Sequence, residues 1–209
     1  MTLVKICGNT NTEDVRVAID AGADFIGLIF ASSKRQISPE VGHGIVSHFP
    51  NFRNFVGVFV NEKFERIVKT ASLLKLKWLQ LHGDEPEDLS SSLMKLNYQV
   101  IKAFRIRDMG SISTIQNYPA NYYLLDSYKD GQYGGTGVTI DRSFLANDPT
   151  VMKKSFLAGG LNPQNVGETV QHFHPYAVDA VSGVERSAGL KNHEFIKQFV
   201  RNAKEISVA

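Results

Sequence analysis

Eight short apolar runs, each followed by a longer amphipathic stretch, constrain this 209-residue chain more than any other feature. The runs are Leu3–Cys7, Phe25–Phe30, Phe55–Val60, Trp78–His82, Val100–Phe104, Tyr122–Asp126, Phe156–Gly159 and Ala177–Ala180. They are rich in β-branched and aromatic residues, and their alternation with helix-like segments predicts βα units on a parallel sheet. Starts at 55, 78, 100 and 122 lie roughly 22 residues apart, the length of one compact βα unit, and 156 to 177 repeats the interval. Eight such units close into an α/β fold, a single (β/α)8 barrel of the TIM type, for which a chain of about 200 residues is near the lower limit. Some helices must therefore be very short, with Arg142–Ala146 the foremost candidate. No linker, charge block or low-complexity segment interrupts the series, so residues 1–209 read as one domain.

Helix starts are marked along the chain. Ser38-Pro39 and Asn162-Pro163 each place a cap residue before a proline at the first helical position, and Asn61, Asp108 and Asp141 are further caps. The last stretch, Asn192–Ile206, sets Phe195, Phe199 and Ala203 at a spacing of four on one face. Two units run long, after the second and the sixth runs, and loops beyond what the scaffold needs are where function tends to sit.

Composition narrows the class. With 43% apolar and 21% charged residues, the chain has the mix of an ordinary globular protein. A formal charge of +2 does not argue for a nucleic-acid or membrane partner, and the longest uncharged apolar segment, Phe25–Ser33, is far short of a membrane span. The N-terminus lacks a secretory pattern, and a single cysteine excludes an internal disulfide. The expectation is a cytoplasmic enzyme, with a monomer favoured over a homodimer. His43, His48, His82, His172, His174 and His193 form no ligand cluster in the sequence, and no dinucleotide fingerprint or P-loop occurs, so neither metal nor cofactor is expected.

Such a barrel carries its chemistry at the C-terminal ends of its strands. The polar residues there are Cys7, Ser32 to Arg35, His82-Gly83-Asp84, Arg105, Asp126, Gly159-Gly160, and Asp179 through Gly183. Cys7 is either a buried apolar filler or a working thiol. In the second case it needs a positive field, which Lys5, two residues back on the same strand face, can supply. Asp126 is either a cap or, beneath the glycine-rich loop 127–137, a partly desolvated carboxylic acid fit for general-acid work. Arg35 is either solvated surface or a planar fork for a carboxylate. His82 either bonds a neighbouring loop or donates to a substrate oxygen. The Gly159-Gly160 pair after the seventh strand and Ser182-Gly183 after the eighth, where a short extra helix can begin, sit where barrels bind phosphate through backbone N–H groups. The partner implied is a phosphorylated small molecule.

The motifs Val4-Lys5-Ile6-Cys7-Gly8, Ser33-Lys34-Arg35, Val56-Gly57-Val58-Phe59-Val60-Asn61, Gln80-Leu81-His82-Gly83-Asp84-Glu85, Leu124-Leu125-Asp126, Leu157-Ala158-Gly159-Gly160-Leu161 and Ser182-Gly183-Val184-Glu185 follow one another in that order. Together they resemble the phosphoribosylanthranilate isomerases of tryptophan biosynthesis over nearly the whole chain. The resemblance implies an Amadori rearrangement without metal or cofactor, with Cys7 as general base and Asp126 as general acid. It also implies Arg35 on the anthranilate carboxylate and Gly159, Gly160, Ser182 and Gly183 on the phosphate, with His82 and Asp179 completing the substrate-binding set. Two places depart from the family's pattern. Val181 replaces the first serine of Asp-Val-Ser-Ser-Gly-Val-Glu, and Ala188-Gly189-Leu190-Lys191-Asn192 replaces Pro-Gly-x-Lys-Asp. The rival readings are the aldose–ketose isomerase of histidine biosynthesis, which carries aspartate where Cys7 stands, and a non-catalytic barrel that binds a phosphorylated ligand.

Overall fold

The computed structural model describes residues 1–106, 115–127 and 149–205. Its core is a closed parallel barrel of β1 (Leu3–Ile6), β2 (Phe25–Ile29), β3 (Phe55–Phe59), β4 (Trp78–Leu81), β5 (Gln99–Ile106), β6 (Tyr122–Ser127), β7 (Ser155–Leu157) and β8 (Ala177–Ala180). Each of the eight runs becomes a strand, with ends within two residues of those expected. The order follows the sequence, and β8 returns to pair with β1.

Side chains alternate across each strand, so one set points into the barrel and the other toward the helices. The inward set starts apolar and ends polar. At the N-terminal end, Phe25, Val56, Ile101, Leu124, Phe156 and Ala177 form a buried cluster, joined by Trp78 and Tyr122. Their rings meet edge to face or tilted, with Phe25 and Trp78 centroids 4.9 Å apart, Phe25 and Phe156 5.2 Å, and Trp78 and Tyr122 5.3 Å. This plug closes the barrel floor. The outward set, Val4, Ile6, Ile26, Leu28, Leu79 and Val178 among others, packs under the helices.

Helices α1 (Thr12–Asp20), α2 (Pro39–Ser47), α3 (Phe64–Leu74) and α4 (Glu87–Lys95) follow the first four strands. Ser38 caps α2 as expected, accepting from Val41 N at 3.3 Å with Pro39 in the first turn. Asn61 does not cap α3, which starts after Lys63. Asn61 instead adopts φ 49° and its Oδ1 accepts from Asp84 N at 2.7 Å, joining the loops after β3 and β4. The helix Val166–Phe173 likewise starts later than Asn162-Pro163 implies, because Asn162 caps a preceding turn by accepting from Gln164 N and Asn165 N. The expected caps Asp108 and Asp141, the short helix at 142–146 and residues 128–137 of the glycine-rich loop lie outside the described residues.

The last helix is His193–Glu205, and Asn192 caps it through bonds to Glu194 N and Phe195 N. Its buried face is Ile196, Phe199, Val200 and Ala203, while Phe195 is 36% exposed. A strict spacing of four drifts about 40° per step around a helix of 3.6 residues per turn, so the stripe through Phe199 and Ala203 carries Phe195 off the packed face. Among the described residues no helix is long and apolar enough to cross a membrane. Phe199→Ala is expected to cost about 3–5 kcal/mol in chemical denaturation and Phe195→Ala under about 1 kcal/mol; equal losses would place the two on one face after all.

Candidate active site

At the C-terminal end of β1 the chain does not stop at the last strand residue. Cys7 N still donates to Ala180 O of β8 at 2.9 Å, and Gly8 N and Asn9 N both donate to Gly27 O. Gly8 takes φ 75°, and a Cβ there would lie 2.8 Å from Arg35 Cδ, so glycine is required both for the turn and for the arginine stem lying over it. The Cys7 sulfur packs against Gly27, where a Cβ would collide with it. The thiol is thus fixed in the barrel mouth and buried.

Cys7, Arg35, His82, Asp126, Gly159, Gly160, Asp179 and Ser182 line one cavity there, with Gln80 and the apolar walls Ile29, Val58 and Ala158. Of the residues expected at the site, Gly183 is not among the lining. Its Cα lies against the Leu161 carbonyl, too close for a side chain, and so presses the β8 loop onto the β7 loop. Gly159 and Gly160 both take positive φ, 86° and 70°, and Asn165 Nδ2 holds the Gly160 carbonyl at 3.0 Å. Successive backbone N–H groups in such a turn form a concavity suited to an anion. The extra helix expected after β8 is a single 3-10 turn, Ser182–Val184.

Beneath the thiol, Lys5 Nζ donates to Asp179 Oδ2 at 3.0 Å, both buried. Asp179 was expected to bind substrate; half of its carboxylate is already committed to this internal pair. Burial pulls the Lys5 ammonium down, but Asp179 and Cys7 outweigh it and hold the group above its ordinary value. Burial, with Asp179, pushes the Cys7 thiol up; Lys5 and Lys191 oppose that without cancelling it, so the group stays above its ordinary value.

Arg35 does reach over the mouth, but its fork is engaged. Nε and Nη2 donate to the Glu185 carboxylate at 2.8 and 2.7 Å. Glu185 accepts in turn from Lys191 Nζ at 3.2 Å, and the same ammonium donates to Cys7 O at 2.5 Å and Val181 O at 3.2 Å. Lys191 comes from a small hairpin of β9 (Glu185–Ser187) and β10 (Leu190–Lys191). Val181, the replacement for a serine, contributes this carbonyl and a cavity wall, neither of which needs a hydroxyl.

His82 Nδ1 lies 2.7 Å from Gln80 Nε2, and its Nε2 lies 3.8 Å from Asp126 Oδ2. Burial, with the charges of Lys5, Lys102 and Arg105, lowers the imidazole to about 3. A neutral ring accepting from Gln80 at Nδ1 carries its hydrogen on Nε2, directed at the buried Asp126 carboxyl. Behind β4, Glu85 accepts from Asn61 N, Gly83 N and Lys102 Nζ, which fixes the loop that carries His82. Among the described residues no group of His, Cys, Asp and Glu is arranged to hold a metal ion.

Sequence reasoning missed Gln80, Glu85, Glu185 and Lys191 as parts of the site. Gln80 was signalled by polarity at an inward strand position. Lys191 lies 184 residues from Cys7, and its signal was the retained lysine of the Pro-Gly-x-Lys-Asp pattern, not any local physical cue.

A closed parallel barrel that gathers Cys7, His82, Asp126 and Asp179 at its strand ends around one cavity defines a (β/α)8-barrel enzyme. Residues 4–202 match the family model described as N-(5'phosphoribosyl)anthranilate (PRA) isomerase. The chain is 42% identical to N-(5'-phosphoribosyl)anthranilate isomerase of Geotalea uraniireducens over 98% of its own length and 99% of the relative's. It is similar to the crystal structure of phosphoribosyl anthranilate isomerase from Thermotoga maritima, with 40% identity, a TM-score of 0.91, and 98% and 100% of the two chains covered. A phosphoribosyl anthranilate isomerase crystallised with reduced 1-(o-carboxyphenylamino)-1-deoxyribulose 5-phosphate is 39% identical, with a TM-score of 0.88 and 98% and 100% covered. The chain belongs to the phosphoribosylanthranilate isomerase family.

The His82 environment has a measurable consequence. The unfolded chain takes up the imidazole proton near 6.5 and the folded chain only near 3, so between these values the unfolded state binds more protons. Stability from this group is present above about pH 6.5 and is lost as pH falls toward 3. Chemical denaturation is expected to show a shallower acid loss for His82→Gln than for the wild type; parallel slopes would contradict the neutral, shielded imidazole.

Proposed function

We propose that the chain catalyses the Amadori rearrangement of N-(5-phosphoribosyl)anthranilate to 1-(2-carboxyphenylamino)-1-deoxyribulose 5-phosphate, the isomerase step of tryptophan biosynthesis. The observation that carries this reading is the placing of Cys7 and Asp126 on one cavity, from strands three apart around the barrel. Asp126, addressed by the neutral His82, protonates the furanose ring oxygen. The ring C–O bond breaks and a protonated Schiff base forms at C1. Cys7, as thiolate, takes the proton from C2, and the electron pair moves into an enolamine. Tautomerisation places a proton on C1 and leaves the ketone at C2, so C1 is reduced as C2 is oxidised. Asp126 ends without its proton and Cys7 with one, and exchange with solvent resets both.

The substrate carries an anion at each end. The phosphate lies against the backbone N–H groups of Gly159, Gly160 and Ser182, where the conformation of the glycine pair supports the assignment, while Gly183 presses the β8 loop onto the β7 loop. The anthranilate carboxylate meets Arg35 through Nη1, since Nε and Nη2 serve Glu185. The reading extends to a one-domain cytoplasmic enzyme working as a monomer, without metal or cofactor.

Cys7→Ala and Asp126→Asn are each expected to lower kcat by roughly 10² to 10⁴ with the far-ultraviolet dichroism unchanged. Steady-state assay with freshly made phosphoribosylanthranilate decides this, and near-normal turnover of either variant removes its assigned role. Arg35→Ala is expected to raise KM about tenfold or more with a smaller change in kcat. An unchanged KM would take the carboxylate away from Arg35.

A further inference from the structure

The inward positions of β1 read Leu3 and Lys5, and Cys7 continues the alternation, so the lysine stands one layer below the thiol on the same face. Lys5 is fully buried, and its Nζ is anchored at 3.0 Å by Asp179, its neighbour in the β1–β8 register. Asp179 Oδ1 is buried and has no hydrogen-bond partner among the described residues. A buried ion pair is a weak source of stability, because an apolar pair of similar shape does as well or better. The position therefore calls for another reason, and the next inward residue supplies it: Cys7 stands two residues on along the same face, and the Lys5 charge lowers the cost of ionising its sulfur.

We propose that Lys5 is a positioning residue for the base: its ammonium, anchored by Asp179, supplies the counter-charge that lets the Cys7 sulfur ionise inside the barrel. The kinetic side of this inference rests on the isomerase reading. The charged groups facing the sulfur are Lys5 from β1, Asp179 from β8, Lys191 from β10 and Arg35 from the loop after β2. Burial disfavours the thiolate most, and Lys5 offsets burial more than any other group does. Lys191 acts in the same sense but is spent on the Cys7 carbonyl, Val181 O and Glu185. Lys5 also bears on His82, where the same charge disfavours an imidazolium. One ammonium thus favours a negative sulfur, which the proposed rearrangement requires, and a neutral imidazole.

The chain has a single cysteine, so thiolate absorbance titrates Cys7 alone once tyrosinate is followed separately. Lys5→Met is expected to move that titration up by about one unit or more and the acid limb of kcat/KM by the same amount. At neutral pH kcat falls about tenfold or more, with KM within about twofold of wild type. Because Lys5→Met strands Asp179 as a buried unpaired carboxylate, the double variant Lys5→Met/Asp179→Asn guards against a folding defect. Lys5 acts on the sulfur more strongly than Asp179, so the double variant also titrates above wild type, by less than the single one. A thiol that titrates with the wild type in either variant overturns the proposal, as does an acid limb that stays in place while kcat falls. If the wild type does not turn over phosphoribosylanthranilate, the isomerase reading fails, and the titration still decides the role of Lys5.

Discussion

Residues 174 positions apart meet where β8 pairs with β1, and Lys5 lies beside Asp179 in that register. Four consecutive pairs, Leu3 with Ala177 through Ile6 with Ala180, close the barrel. A slip of one residue would turn every inward side chain of β1 outward and take both Lys5 and Cys7 out of the site. The Lys5–Asp179 pair makes such a slip expensive, because each charge would then be buried without its partner, at roughly 3–5 kcal/mol. The closure and the candidate site are therefore one constraint: the chain cannot form the barrel in the right register without also placing the thiol over the ammonium.

The same device recurs around the rim. Lys5, Lys102 and Lys191 are buried, and each meets a carboxylate, Asp179, Glu85 and Glu185 respectively. Lys5–Asp179 and Lys102–Glu85 join different βα units, while Lys191–Glu185 lies within the hairpin after β8. Lys102 on β5 ties down the loop after β4 through Glu85 and Gly83 O, and Lys191 ties the hairpin to the end of β1. Apolar packing could not do this here, because the upper barrel has to stay polar and hollow to admit a substrate. The floor carries the opposite composition. Its ring cluster fills the lower barrel with edge-to-face contacts, so the hydrophobic stabilisation sits where no chemistry is needed.

The sequence was legible to the extent that its physics is local. Strand positions follow from short-range composition, so all eight runs were found, and the barrel rule then selected Cys7, His82, Asp126 and the glycine pair. Ser38-Pro39 was readable because a cap and its helix are adjacent. Asn61 and Asn162 were misplaced because an asparagine side chain can satisfy a turn or another loop as well as a helix end, and the choice depends on neighbours far along the chain. Arg35 was rightly sent to the mouth, yet its partner Glu185 stands 150 residues away and cannot be paired with it from spacing. Lys191 stands in the segment that resembles Pro-Gly-x-Lys-Asp, but its bond to Cys7 O, 184 residues away, forms only once the barrel has closed.

Charge counting around the sulfur gives the choice of residue a physical reason. Lys5, Lys191 and Arg35 bring three positive charges to the neighbourhood of Cys7, while Asp179 and Glu185 bring two negative ones. One positive unit is left over in a region from which water is largely excluded. A phosphate at the glycine turns, as proposed, would not use it, because backbone N–H groups hold an anion with partial charges alone. In the proposed rearrangement a thiolate balances the surplus, and the thiol restores it on taking the C2 proton. A carboxylate in the place of Cys7 would hold its charge throughout the working pH range and resist taking that proton, since three cations would stabilise its ionised form. The sulfur, with an ordinary ionisation far above that of a carboxylic acid, changes charge at smaller cost in the same surroundings. Under the proposed mechanism, cations that ease the loss of the Cys7 proton are thus matched to a group that can also take one back.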